Sequence, residues 1–164
     1  MKVKSLLIYI MLFFIIPVVH YIPVICSDKF GFLTILSILP MYIISRKSPS
    51  LGLLSYISVF LLITLVSKYE GTRFLFINGL LGIFLGMLSH YLNKKILISL
   101  LMGIILYISI NGMINTNNFS LLGSVYLNKV IFQYAIILFS LVFSFSTLMI
   151  CDYLYRKIYY DENI

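Results

Sequence analysis

Six apolar runs divide this chain, and they decide what it can fold into: Ser5–Ile25, Gly31–Ser45, Leu51–Ser67, Phe74–Leu92, Ile96–Ile110 and Val130–Ile150. A membrane-spanning helix needs about 20 mostly apolar residues, and six such runs, separated by short turns except for the long segment 111–129, predict an all-α polytopic membrane helix bundle. The second and fifth runs, with 15 residues each, are short for a span. Either they extend into their flanks or one of them is re-entrant. Pro17, Pro23 and Pro40 fall inside the first two runs, where neighbouring helices can re-satisfy the freed backbone groups.

Composition excludes the alternatives. The chain has 164 residues, is 62% hydrophobic and 10% charged, and has a mean hydropathy of +1.09. Soluble domains are about half apolar and about a quarter charged, and a chain this short leaves too much surface exposed to hide the excess. A soluble globular enzyme, a disordered tail and a disulfide scaffold are therefore ruled out, and residues 1–164 read as a single integral membrane domain. Cys26 and Cys151 fall at opposite membrane faces in the topology below, too far apart for an intramolecular disulfide. One Ala, no Trp and abundant Ile, Phe, Tyr, Lys and Asn indicate an AT-rich genome and a bacterial cytoplasmic membrane. Without Trp, Tyr supplies the interfacial aromatic belt.

Charge sets the orientation. The formal net charge of +7 comes from twelve Lys and Arg standing singly or in pairs between apolar runs, as charges flank membrane helices, so no nucleic-acid partner is expected. With the N-terminus inside, Lys2, Lys4, Arg46, Lys47, Lys94, Lys95, Arg156 and Lys157 are cytoplasmic, and Lys29, Lys68, Arg73 and Lys129 lie outside. The positive-inside rule then gives six spans with both termini cytoplasmic. The first run is longer than a signal-peptide core and has no small-residue cleavage site after it, so it reads as a retained first helix.

Polar residues in or near spans tend to face a bundle interior or a cavity. Here they gather toward the outer side. His20 lies near the end of the first span, and Glu70 and Arg73 in the loop before the fourth. Asn78 lies in the fourth span, Asn111 at the end of the fifth and Gln133 at the start of the sixth. These six residues are candidate ligand contacts in an outward-facing cup; alternatively they simply neighbour the headgroups. The Asn-rich segment 111–129 would roof the cup, with Phe119, Leu122, Val125 and Tyr126 at helical spacing for a short interfacial helix. In the fourth span Gly79, Gly82, Gly86 and Ser89 share one helical face, suited to close helix packing inside the bundle or, less simply, to a dimer.

Catalysis and metal binding find little footing. His20 and Cys26 evoke a Cys protease, but no acidic or amide orienter accompanies them. Two His at opposite faces cannot make a zinc site, and no cofactor is expected. No phosphate loop is visible, so the chain hydrolyses no nucleotide itself. No run as drawn contains Asp or Glu, which argues against a stand-alone proton- or ion-coupled transporter.

The stretch Thr34–Lys95 has a Pro-containing second span, a basic Arg46-Lys47-Ser48-Pro49 turn, a Gly52-Leu53-Leu54 opening to the third span and a Gly-rich fourth. In these features it resembles the substrate-capture S components of energy-coupling factor vitamin transporters and the related YybS-like family. The resemblance implies a small six-span subunit that binds a vitamin-like molecule from outside and works with a coupling subunit and an ATPase pair. The run from Arg73 through Asn78 to Gly82 and Gly86 is similar to VanZ-like proteins, and the length and glycine pattern to MreD-like proteins. Those likenesses imply a non-catalytic membrane scaffold.

Overall fold

In a computed structural model, the described residues are 3–117 and 129–160. They are helical almost throughout, and six helical stretches are long and apolar enough to cross a membrane. The protein is an all-α, multi-pass membrane protein. The elements are α1 (Val3–Ile25), a 3-10 helix (Asp28–Ser37), α2 (Ile38–Lys47), α3 (Pro49–Val66), α4 (Lys68–Arg73), a π-helical turn (Phe74–Asn78), α5 (Gly79–Tyr91), α6 (Lys95–Asn117) and α7 (Lys129–Tyr160). They pack as two compact units, Met1–Asn93 and Lys94–Ile164.

The short second run is lengthened by its geometry. A 3-10 helix rises about 2.0 Å per residue against about 1.5 Å for an α-helix. Ten residues of each reach about 35 Å, enough for the about 30 Å hydrocarbon core. The fifth run gains length more simply, because α6 continues to Asn117. Asn111 thus lies within a helix rather than at its end. Phe119, Leu122, Val125 and Tyr126, with the rest of segment 118–128, lie outside the described residues.

One expectation is corrected outright. Glu70 and Arg73 are not in a loop: α4, the π turn and α5 together form one stretch, Lys68–Tyr91, able to cross a membrane. Ser67 starts it, its side chain accepting from the Glu70 backbone N–H. The sixth spanning stretch, in α7, also runs past Ile150 and carries Asp152. Carboxylates therefore do sit in spanning stretches, and the argument against ion coupling that rested on their absence falls. Hydropathy scores residues one at a time, whereas a charged side chain enters a span when partners there satisfy it.

In the first unit the core is apolar and tight. Ile16, Met41, Ile44, Val59, Ile63, Phe74 and Ile83 are buried, with Phe13, Tyr56 and Phe60 packed around them. α2 and α5 approach closely at Gly82 and Gly86. A Cβ at Gly82 would lie 2.7 Å from Met41 Cβ, and one at Gly86 only 2.6 Å from the Tyr42 carbonyl oxygen. Small residues let helices come this near in lipid, where no hydrophobic drive holds them together. Gly79 instead lies under the Phe74 ring of its own stretch, and the Ser89 hydroxyl is buried with no hydrogen-bond partner among the described residues. The outward face of α3 carries Leu53, Leu54, Ile57, Leu61 and Leu65, all exposed, the surface expected against lipid tails.

Candidate functional site

The polar residues of the first unit converge on His20. It projects from the last turns of α1 and is fully buried. Its Nδ1 lies 3.2 Å from Glu70 Oε2, and its Nε2 lies 3.1 Å from Ser37 Oγ. Glu70 is 3% exposed, and its other oxygen is 3.5 Å from a guanidinium nitrogen of Arg73, which is 27% exposed. Phe74 meets the imidazole edge to face, with ring centroids 5.3 Å apart. Asn78 is buried and donates to Thr34 Oγ1 at 3.0 Å. One cluster thus holds a buried carboxylate, an imidazole, an amide and a guanidinium at the end of the unit away from the Arg46–Lys47 turn.

Both backbone irregularities of the unit serve this cluster. Three residues per turn eclipses positions three apart, so the 3-10 helix stacks Gly31, Thr34 and Ser37 in one buried stripe. Thr34 Oγ1 donates to the Gly31 carbonyl, and Ser37 Oγ donates to the Thr34 carbonyl at 2.6 Å. An α-helix would spread these three residues around about a third of its circumference. Gly31 leaves room for Arg73, since a Cβ there would lie 2.8 Å from the guanidinium. The π turn falls between Arg73 and Asn78, closed by the Gly79 N–H donating to the Phe74 carbonyl. Such bulges cluster at functional sites. The wider turn lets Glu70, Arg73, Phe74 and Asn78 all serve one cluster.

Of the six residues picked from sequence, the structure brings His20, Glu70, Arg73 and Asn78 together in the first unit. Asn111 and Gln133 meet in the second. There Tyr107 donates to Gln133 Oε1 at 2.9 Å, Gln133 Nε2 donates to Asn111 Oδ1 at 3.1 Å, and Asn111 Nδ2 donates back to the Tyr107 carbonyl at 2.9 Å. This closed ring ties α6 to α7. Farther along the same pair of helices Asp152, buried, accepts from Lys95 and, at 3.3 Å, from Arg156.

Thr34, Ser37, Tyr107 and Asp152 were not among the candidates. Thr34 and Ser37 were readable as a three-residue period after Gly31, but only to a reader expecting a 3-10 helix. Tyr107 stands four residues before Asn111, on the same face of a helix. For the Cys-protease arrangement, the acidic partner that the sequence did not show beside His20 is present, since Glu70 lies 3.2 Å from Nδ1, but the other ring nitrogen engages Ser37 and Cys26 is exposed. Among the described residues, no three His, Cys, Asp or Glu side chains gather as a metal would require.

Compared with known proteins, the chain matches no family model, no curated protein and no solved structure.

Proposed function

We propose that this protein is a non-enzymatic membrane subunit that captures a small polar solute at the His20 end of its first unit and passes it to a partner assembly. The observation that carries this reading is the buried His20–Glu70 pair, 0% and 3% exposed, inside stretches fit to span a bilayer. Ionisable groups are costly there and mark solute or ion sites by default. Irregular backbone on both sides, and Arg73 at the partly exposed edge, add to it. Hydrogen-bonding groups poised at a rim would orient a vitamin-like ligand, and the resemblance to S components supplies the expected partners: a coupling subunit and an ATPase pair in a bacterial cytoplasmic membrane.

A scaffold role, MreD-like or VanZ-like, is the second reading. It is favoured by one observation: Asn78, His20, Ser37 and Thr34 already satisfy one another, as in a network built for rigidity.

Purification from gently solubilised native membranes, with mass spectrometry of proteins and small molecules, separates the two. Capture predicts a retained metabolite and an ATPase pair, with the metabolite lost in Asn78→Leu although that variant still inserts. Recovery of membrane-assembly proteins alone, with the same small-molecule profile in parent and variant, would overturn it in favour of the scaffold.

A further inference from the structure

The hydrogen bonds around His20 can be counted, and with the Ser37 hydroxyl on its shorter contact the count calls for a proton. Ser37 has one hydroxyl hydrogen and two acceptors in reach, and it takes the shorter contact: the hydroxyl donates to the Thr34 carbonyl at 2.6 Å rather than to Nε2 at 3.1 Å. Toward His20 Nε2, 3.1 Å away, Ser37 Oγ can therefore only accept, so Nε2 carries a hydrogen. The other ring nitrogen, Nδ1, lies 3.2 Å from Glu70 Oε2. A bare Nδ1 there would set its lone pair against that of a carboxylate. A hydrogen must lie between them, on Nδ1 as imidazolium or on Oε2 as carboxylic acid. In either form the pair holds one proton more than a neutral imidazole beside a carboxylate.

We infer that His20 and Glu70 form a proton-binding site and that Ser37 couples its occupancy to the 3-10 helix. When the proton leaves, to water past the partly exposed Arg73, the remaining ring hydrogen sits on Nδ1 against the Glu70 carboxylate. Nε2 is then bare and needs a donor. The Ser37 hydroxyl is the group in reach, and it serves Nε2 only by releasing the Thr34 carbonyl. Thr34 also receives Asn78, which belongs to the π turn. Proton release thus rearranges the stripe that joins the 3-10 helix to the fourth spanning stretch.

The groups facing the pair are few. α4 presents Glu70 and Arg73, the 3-10 helix Thr34 and Ser37, and the π turn Phe74 and Asn78. Behind Phe74 stands Tyr56 of α3, whose hydroxyl donates to the Leu75 carbonyl. Lys29 and Lys68 are exposed. The proton becomes the co-ligand of capture, a link that rests on the capture reading; the proton site itself does not.

The test uses the full chain in lipid bilayers, labelled with 15N-histidine and 13C-glutamate, in a His90→Gln background that leaves His20 as the sole histidine. Solid-state NMR reads both ring nitrogens and the carboxyl as the pH is raised. At the acid end the expected signature is either two protonated ring nitrogens, or an Nε2–H ring beside a protonated Glu70 carboxyl. Raising the pH converts it to an Nδ1–H ring with bare Nε2 and an ionised carboxylate. Glu70→Gln loses the doubly protonated ring throughout, and Ser37→Ala keeps the proton but changes the Nε2 shift. An Nδ1–H ring beside an ionised Glu70 at every pH would overturn the inference. So would a doubly protonated ring that survives Glu70→Gln. If the transition is present but no metabolite is retained in purification, capture falls and the proton site stands.

Discussion

Replacing His20 by Leu strips a buried carboxylate of its nearer partner. Glu70 keeps the Arg73 guanidinium, but at 3.5 Å and from a side chain 27% exposed, a weaker partner than the fully buried imidazole at 3.2 Å. Breaking a buried pair typically costs about 3–5 kcal/mol, because the surviving charge is left uncompensated. The residual Arg73 contact places the expected loss for His20→Leu near the lower end, about 3 kcal/mol. Glu70→Leu removes the carboxylate itself and leaves His20 its Ser37 contact, so its expected loss is smaller, about 1–2 kcal/mol. Replacing both by Leu removes the stranded charge along with its partner, and such swaps are often close to neutral. The double variant should therefore be more stable than His20→Leu alone, with a coupling of at least about 1 kcal/mol. The assay is reversible unfolding in mixed micelles followed by circular dichroism, on parent, both singles and the double. Strict additivity of the two single losses would refute the claim that the two side chains act as one buried unit.

Other substitutions probe the packing. Gly86→Ala sets a methyl group against the α2 backbone at Tyr42 and Arg46, which cannot swing aside, and overpacking of this kind costs about 1–3 kcal/mol in the same unfolding assay. Gln133→Leu opens the Tyr107–Gln133–Asn111 ring of the second unit; side-chain hydrogen bonds between membrane helices average about 0.6 kcal/mol, so a loss of about 1 kcal/mol for two of them is expected. Lys95→Met leaves the buried Asp152 its contact with the more exposed Arg156 and, as for Glu70, should cost stability, here about 1–3 kcal/mol.

The bundle itself was legible because bilayer thickness is a strong constraint: an apolar run of the right length has few other fates. The shared face of Gly82 and Gly86 was legible from helical spacing alone, and those residues meet α2. What misled was treating polarity as the edge of a span. Glu70 and Arg73 looked like a loop because each is charged, yet Glu70 is nearly enclosed by partners from α1 and its own helix. Asn111 looked like a helix end because it is an amide, yet it accepts from Gln133 within a longer helix. The 3-10 helix was hidden because its stripe of Gly31, Thr34 and Ser37 shows a period of three, and a reading built on 3.6 smears it. In each case the missing information was pairwise: which polar side chain another could satisfy.

The central claim is that Glu70 is folded into the bundle against His20. The chain has two histidines, His20 and His90, and two glutamates, Glu70 and Glu162, so rotational-echo NMR on the 15N-histidine, 13C-glutamate protein in bilayers reads their separation with little overlap. A nitrogen–oxygen distance of 3.2 Å plus one carbon–oxygen bond puts the Glu70 carboxyl carbon within about 4.5 Å of His20 Nδ1. The account predicts strong dephasing of that carboxyl signal, lost in His20→Leu. A carboxyl that shows no dephasing by histidine nitrogen would contradict it and return Glu70 to a solvated loop.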